Sequence, residues 1–203
     1  KKPIEGHASL LSALPCKFVG VGVHGKFIYM LTDKGINCFS TLGMAGNWSL
    51  SETKHARFTF VLDDDTKVYY NDQRNFGTLA FKYGPTQIKK KLAKLGPDML
   101  SSEMSERVFV NRLRTKQDWN ITKVLMNQTI VSGIGNYIKA ESLWLSEISP
   151  TRLVNEVLDI ELSLLYMAVK AVMIESYENK STHRAHRAFS DIQADYSCRF
   201  LCY

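Results

Sequence analysis

The sequence predicts an α+β fold in which an antiparallel β-sandwich domain is followed by a helical domain. In the first part apolar residues alternate, as at Val19, Val21 and Val23, which is the pattern of a half-buried strand. After residue 86 they recur at helical spacing instead, beginning with Ile88 and Leu92. This change of period predicts two domains and a short terminal region, over 1–96, 97–190 and 191–203.

Alternation of apolar residues recurs three times after the first strand, and each run predicts a further strand. The runs cover 27–31, 57–62 and 67–70. The last two are joined by 63–66, whose aspartates and threonine have hairpin-turn chemistry. Short strands separated by turns are typical of an antiparallel sandwich or barrel.

Helical spacing predicts four helices after residue 97. The first three cover 105–115, 118–126 with Asp118 as N-cap, and 137–145. A proline at 150 separates them from a long amphipathic helix. One face of that helix carries the apolar residues Val157, Ile160, Leu164, Leu165, Ala168, Val169 and Val172.

Composition restricts the class of protein. The 203 residues are 45% hydrophobic and 23% charged, which is typical of a globular protein. No apolar stretch approaches the roughly 18 residues that a membrane span needs. Four irregularly spaced cysteines do not form a disulfide framework, so we expect an intracellular protein of the nucleus or cytoplasm, of cellular or viral origin. The formal net charge of +6 favours an anionic partner, most commonly a nucleic acid.

The segment 121–150 contains two predicted helices joined by a glycine turn at 132–136. Its two glycines let the backbone turn tightly and expose consecutive amides at the start of the second helix. Such amides, with Asn136 beside them, form an anion site suited to a phosphodiester, and Lys123 adds a cation. A plain helix–helix turn capped by Asn136 is the alternative that spacing alone allows.

This segment resembles the helix–two-turn–helix motif of the formamidopyrimidine-DNA glycosylase / endonuclease VIII family of base-excision repair enzymes. Three blocks carry the resemblance in the family's order and spacing: 125–128 (LMNQ), 131–137 (VSGIGNY) and 140–143 (AESL). The resemblance implies that Asn136 and Lys123 bind the DNA backbone next to the lesion.

Four upstream blocks resemble the same family in the right order: 24–27 (HGKF), 42–46 (LGMAG), 70–77 (YNDQRNFG) and 95–98 (LGPD). The first is similar to the turn with the family's catalytic lysine, which implies that Lys26 contacts phosphate and assists strand cleavage. The second and third are similar to loops that fill the hole left by the flipped nucleotide, which implies that role for Met44, Arg74 and Phe76. The fourth matches the junction between the family's two domains.

Base flipping explains why these residue types suit the role. A glycosylase extrudes the damaged base, which leaves a void and an unpaired base on the opposite strand. Met44 and Phe76 can replace the lost stacking, and Arg74 can hydrogen-bond the orphaned base. Core packing is the alternative for Met44 and Phe76, although both lie in glycine-flanked loops.

Two further basic features have competing interpretations. Arg57 lies where the family places a DNA-contacting side chain, and a solvated strand residue is the equal alternative. A basic helix face, which we interpret as a solubilising surface, is formed by Lys89, Lys90, Lys91 and Lys94.

The beginning of the sequence departs from the family's pattern. The family's nucleophile is an N-terminal proline followed by glutamate, whereas Pro3 is internal and its amide nitrogen is not nucleophilic. The resemblance begins near Pro15, and nothing before it resembles the family's opening helix. We therefore expect the true N-terminus to precede these residues.

The end of the sequence also departs from that pattern. The segment 200–203 resembles the strand before the family's C-terminal finger, which binds zinc in some branches. We expect no metal and no other cofactor. A zinc site is the alternative, and its ligands would be His183, His186, Cys198 and Cys202.

Together these features predict a bifunctional DNA glycosylase with AP (apurinic/apyrimidinic) lyase activity, which removes oxidised bases by base flipping and Schiff-base chemistry. The tryptophan-bearing segment 46–50 favours the endonuclease VIII-like branch and oxidised pyrimidines. The expected partner is double-stranded DNA with an oxidised base or abasic site, bound by a monomer without membrane contact. A non-enzymatic damaged-DNA-binding protein on the same scaffold is the alternative, and an RNA- or ribosome-associated protein is a more distant one.

Overall fold

A computed structural model describes residues 3–178 of the chain. The chain divides into two compact units with the boundary between Ala93 and Lys94, close to the boundary predicted after 96. The predicted change from strands to helices is confirmed. Within the described range, no helix is both long enough and apolar enough to cross a membrane.

Seven strands and two helices make up the described part of the first unit. The strands are β1 (Phe18–His24), β2 (Phe27–Thr32), β3 (Ile36–Thr41), β4 (Gly46–Ser49), β5 (Ala56–Val61), β6 (Lys67–Asp72) and β7 (Thr78–Tyr83). The helices are α1 (His7–Ala13) and α2 (Pro85–Leu92). One antiparallel sheet has the order β1-β2-β3-β7 and the other has the order β4-β6-β5.

Aromatic side chains join the two sheets into the predicted sandwich. Phe58 of β5 contacts Phe81 of β7, with 5.2 Å between the ring centroids. Trp48 of β4 stacks on Phe60 at 5.7 Å, and its indole N–H donates to Ser40 Oγ of β3 at 3.1 Å. These contacts bury the inner faces of both sheets, and burial of such rings supplies much of a small core's stability.

Strand β3 was not predicted, because its residues do not alternate between buried and exposed positions. Its first five residues are all buried, so polar and apolar positions do not alternate along it. The strand lies inside its sheet between β2 and β7, so neither of its edges faces solvent. The strands predicted from alternation are confirmed as β1, β2, β5 and β6.

In the second unit, four α-helices lie within residues 94–178: α3 (Glu106–Arg114), α4 (Ile121–Met126), α5 (Asn136–Leu145) and α6 (Asp159–Glu178). A short 3-10 turn at Val154–Glu156 precedes α6. The helices surround one apolar core, whose largest fully buried side chains include Phe109, Leu113, Ile121, Leu125, Ile134, Leu162 and Leu165. The four predicted helices are therefore confirmed.

Two details of these helices differ from the predictions. The N-cap of α4 is Asn120 rather than Asp118, because the Asn120 Oδ1 accepts a hydrogen bond from the Thr122 amide at 2.9 Å. On α6, Ile160 and Leu164 are exposed, whereas Leu162 lies in the core. The predicted face is therefore correct in part, because Leu165, Val169 and Val172 lie in the core; the helix is apolar on more than one side, and the spacing placed Ile160 and Leu164 wrongly.

The α5 residue Glu141 is an unusual member of this core. Only 2% of it is exposed, and no residue in the described part of the chain hydrogen-bonds its Oε1. Burial, with a smaller contribution from the negative charge of Glu175 on α6, raises the pKa of Glu141 to about 7.

We expect the free energy of unfolding to fall as pH rises from about 4.5 to about 7, because the folded state keeps the Glu141 proton over a range where the unfolded chain has lost it. Glu141→Gln should remove this dependence and stabilise the protein at pH 8 by about 1–3 kcal/mol. Chemical denaturation at several pH values measures both effects. Glu103→Gln, at an exposed position, is the matched control. A pH dependence that persists unchanged in Glu141→Gln would contradict the prediction.

Candidate nucleic-acid interface

Two loops of the first unit expose apolar side chains. Met44 lies between β3 and β4 and is 72% exposed, while Phe76 lies between β6 and β7 and is 57% exposed. The alternative that both belong to the core is therefore wrong. The Arg74 guanidinium carbon lies 4.9 Å from the centre of the Phe76 ring, so a cation accompanies the exposed aromatic ring.

These two loops pack against each other through their backbones. Gly43 has a φ of 62°, and a Cβ built on it would lie 2.8 Å from both the Phe76 carbonyl carbon and the Gly77 nitrogen. Only glycine fits both the backbone conformation and the space. The loop with Met44 and the loop with Phe76 therefore hold each other in position.

Gly43→Ala is expected to lower the free energy of unfolding by about 1–3 kcal/mol more than Gly35→Ala does, because overpacking adds to the strain of the positive φ. Gly35 is the matched control, since its φ is 72° and nothing lies within 4 Å of its built Cβ. Chemical denaturation of both variants measures the difference. If both variants lose the same free energy of unfolding, the close packing of the two loops does not contribute to stability.

Lys26 lies in the tight turn between β1 and β2, where His24 pairs with Phe27. Gly25 adopts a φ of 56°, which lets the hairpin close in two residues. The Lys26 side chain is exposed, and partial desolvation lowers the pKa of its ammonium group from the ordinary value. An exposed cation at the tip of a hairpin is well placed to contact a phosphate.

Arg57 is half-buried and is engaged with the protein. Its Nε donates a hydrogen bond to the backbone carbonyl of Asp72 at 2.9 Å. This contact connects the beginning of β5 to the end of β6, immediately before the loop with Arg74 and Phe76. A role of Arg57 in DNA contact stays a prediction.

In the second unit, Gln128 organises the glycine turn between α4 and α5. Its Oε1 accepts from the Gly133 amide at 3.0 Å, and its Nε2 donates to the Ile134 carbonyl at 3.0 Å. Ser132 Oγ donates to the Gln128 carbonyl at 3.0 Å. Gln128 belongs to the 125–128 motif block, but the sequence does not indicate its role, because these contacts form only when the turn closes.

Asn136 is the first residue of α5, and the N-cap position belongs to Gly135. The alternative in which Asn136 caps the helix is therefore wrong. The Asn136 Oδ1 instead accepts from the Lys139 ammonium at 2.6 Å. Lys139, which sequence analysis did not single out, thus places a cation at the beginning of α5, where helix amides favour anions.

Two further cations of the second unit lie against the Trp119 ring. The Lys123 Nζ lies 3.9 Å and the Lys116 Nζ 5.2 Å from the centre of the indole ring. Contacts of this kind contribute about 0.5–1 kcal/mol each at exposed sites. The tryptophan therefore places Lys116 beside the predicted Lys123, a pairing that their separation in sequence did not reveal.

The described residues thus provide two kinds of surface, one in each unit. The first unit has exposed apolar side chains beside a guanidinium group, which suit a gap in stacked bases. The second has ammonium groups and turn amides, which suit phosphodiester oxygens. The alternative zinc ligands His183, His186, Cys198 and Cys202 and the predicted 191–203 region lie outside the described residues.

An antiparallel sandwich followed by helices joined through a glycine turn defines the class, that of the helix–two-turn–helix proteins. The model of the formamidopyrimidine-DNA glycosylase N-terminal domain matches residues 8–79, and that of the formamidopyrimidine-DNA glycosylase H2TH domain matches residues 95–187. The chain belongs to the formamidopyrimidine-DNA glycosylase family. The match begins at residue 8, within α1, rather than near Pro15 as predicted.

Individual relatives agree with this assignment. The formamidopyrimidine-DNA glycosylase of Lactobacillus acidophilus is 30% identical over 183 residues, which are 87% of this chain and 66% of that protein. That of Halalkalibacterium halodurans is 33% identical over 162 residues, 77% of this chain and 58% of that protein. The chain therefore spans somewhat less than two thirds of their length. The assignment to the endonuclease VIII-like branch stays a prediction.

A solved structure shares the fold. It contains the Lactococcus lactis formamidopyrimidine-DNA glycosylase in complex with DNA that contains a formamidopyrimidine deoxyguanosine lesion. The similarity has a TM-score of 0.75 at 25% sequence identity, and it covers 86% of this chain and 68% of that one.

Proposed function

We propose that the protein is a bifunctional base-excision-repair DNA glycosylase with AP lyase activity, which removes oxidised bases from double-stranded DNA. The main support is that Met44 and Phe76 are exposed on two loops that pack against each other, with the Arg74 guanidinium next to the Phe76 ring. Large apolar side chains held rigidly in solvent have no use in the fold itself. They suit insertion into the void that base flipping leaves.

The proposed chemistry has three stages. An amine attacks the sugar C1′, the damaged base leaves, and an imine forms between the amine nitrogen and C1′. Removal of a proton from C2′ then expels the 3′ phosphate by β-elimination, and removal of a proton from C4′ expels the 5′ phosphate by δ-elimination. Water finally hydrolyses the imine and releases the amine. Lys26 would contact phosphate during strand cleavage, while Asn136, Lys123 and Lys139 would hold the backbone.

Borohydride trapping tests this proposal directly. The full-length protein is incubated with a duplex that contains one abasic site, and reduction converts any imine into a stable protein–DNA adduct. Peptide mapping of the adduct then locates the amine. Without an adduct, but with tight and salt-sensitive binding to the same duplex, the lyase mechanism fails and the non-enzymatic damaged-DNA-binding protein takes its place.

The proposed function includes a preference for oxidised pyrimidines over other oxidised bases. The segment with Trp48 favours oxidised pyrimidines, but the Trp48 side chain packs between the sheets and hydrogen-bonds Ser40. Trp48 therefore does not itself support contact with a lesion. The ratio of kcat/KM for duplexes with 5-hydroxycytosine and with a formamidopyrimidine lesion tests the preference, and a ratio below one would contradict the predicted pyrimidine preference.

A further inference from the structure

Asp72 is a buried carboxylate that precedes the loop with Arg74 and Phe76. It is the last residue of β6, and only 2% of it is exposed. Its Oδ1 accepts from the amides of Arg74 at 3.2 Å and Asn75 at 3.0 Å, and its Oδ2 accepts from the amide of Gly77 at 2.8 Å. One side chain thus binds three of the next five backbone amides.

The backbone of Asp72 is also held in place. Its amide donates to the His55 carbonyl at 3.1 Å, and its carbonyl accepts from the Arg57 Nε at 2.9 Å. These two bonds fix the Asp72 backbone to His55 and Arg57 at the beginning of β5. The side chain that binds the loop amides therefore extends from a backbone that is itself held in place.

The same loop contains a residue in the left-handed region. Asn75, between Arg74 and Phe76, has a φ of 55°, which asparagine adopts more readily than most residues other than glycine. The hydrogen bonds from the amides of Arg74, Asn75 and Gly77 to Asp72 hold the backbone in this conformation. The resulting turn lets the Arg74 guanidinium lie over the Phe76 ring.

We propose that Asp72 is a positioning residue for DNA, which acts by presenting Arg74 and Phe76 in the geometry that enters the base-flipping void. This inference rests on the proposed function, since it assigns the loop to damaged DNA. The acceptor chemistry is specific: an asparagine would present an NH₂ group to at least one backbone N–H, so two donors would face each other. The loop with Arg74 and Phe76 would then change conformation, while the sheet that contains β6 stays folded.

The test uses the full-length protein and two duplexes. One contains a tetrahydrofuran abasic analogue opposite 2-aminopurine, whose fluorescence reports contacts with the orphaned base without any chemistry. The other contains an oxidised base for single-turnover excision. The variants are Asp72→Asn, the double change Arg74→Ala with Phe76→Ala, and all three changes together. Asp64→Asn is the matched control, since Asp64 Oδ1 accepts from the Thr66 amide in the β5–β6 turn.

We expect Asp72→Asn to reduce the 2-aminopurine response and to slow excision by about 10- to 100-fold, because small misplacements of positioning groups have effects of this size. The control should excise like the wild type. In the background that lacks both the Arg74 and the Phe76 side chains, Asp72→Asn should cause little further loss. That lack of additivity is the readout that a purely structural role would not produce.

Two results would overturn the inference: wild-type behaviour of Asp72→Asn in both assays, or an equal loss with and without Arg74 and Phe76. If Asp72→Asn does not melt cooperatively, Asp72→Glu carries the same comparison, since it keeps the charge but shifts the acceptors. If the wild type binds the analogue without excising any base, the proposed function fails, and the fluorescence comparison still decides the role of Asp72.

Discussion

Replacement of Lys26 by alanine is expected to slow strand cleavage by about 10²–10³-fold, the usual cost of removing one preorganised electrostatic group from an active site. Lys26 lies in the two-residue turn at the tip of the β1–β2 hairpin. A phosphate contact there would stabilise the negative charge that develops on the departing phosphate. Single-turnover cleavage of a duplex with one abasic site measures the effect.

Lys34→Ala is the matched control, because Lys34 is exposed in the turn at the other end of β2. The pH dependence supplies a second check. Since the pKa of Lys26 is lowered, the wild type should lose the cationic contact at a lower pH than an ordinary lysine would. Lys26→Arg should remove this alkaline loss, as the guanidinium stays charged. Similar rates for Lys26→Ala and Lys34→Ala would contradict the assigned role.

Asn136→Asp is expected to weaken DNA binding by about 10- to 100-fold, because a carboxylate at this position would repel the phosphate. The same change should leave the protein as stable or make it more so. A carboxylate in the first turn of α5 interacts favourably with the helix dipole, and it would keep the contact with the Lys139 ammonium. Opposite effects on binding and on stability therefore distinguish a phosphate contact from a structural role.

Titration of a duplex with an abasic analogue at several salt concentrations measures the binding, and thermal melting measures the stability. Asn111→Asp on the exposed side of α3 adds the same charge elsewhere in the second unit and is the control. Equal weakening by both variants would mean that only net charge matters. Tight binding by Asn136→Asp would exclude Asn136 from the interface.

Local chemistry explains what could be predicted from the sequence. Ser105 caps α3 by accepting from the Val108 amide at 3.2 Å, a contact that depends only on residues three apart. The glycine turn before Asn136 likewise needs a positive φ at Gly133, which is 105°. Caps, turns and the order of family motifs are all encoded in short segments, so the order of amino acids is enough to reveal them.

The candidate site could be predicted only in part, because some of its contacts are local in sequence and others are not. Exposure of Met44 and Phe76 followed from their glycine-flanked loops. The carboxylate of Asp72 carried no such signal, because its role depends on three amides that converge only when the loop folds back. The close approach of Gly43 to the Phe76 loop also joins segments that are far apart in sequence.

By itself, the sequence determined the change from strands to helices and the family, while the interface residues that it indicates stay predictions. Tertiary structure alone decided which faces are buried. Val21 and Val23 alternate like core residues yet are exposed, while the Tyr29 ring lies against Gly22, where a Cβ would meet it at 2.2 Å. Glu141 is charged in type but lies in the core. Burial depends on which distant segments pack together, and no local spacing of residues contains that information.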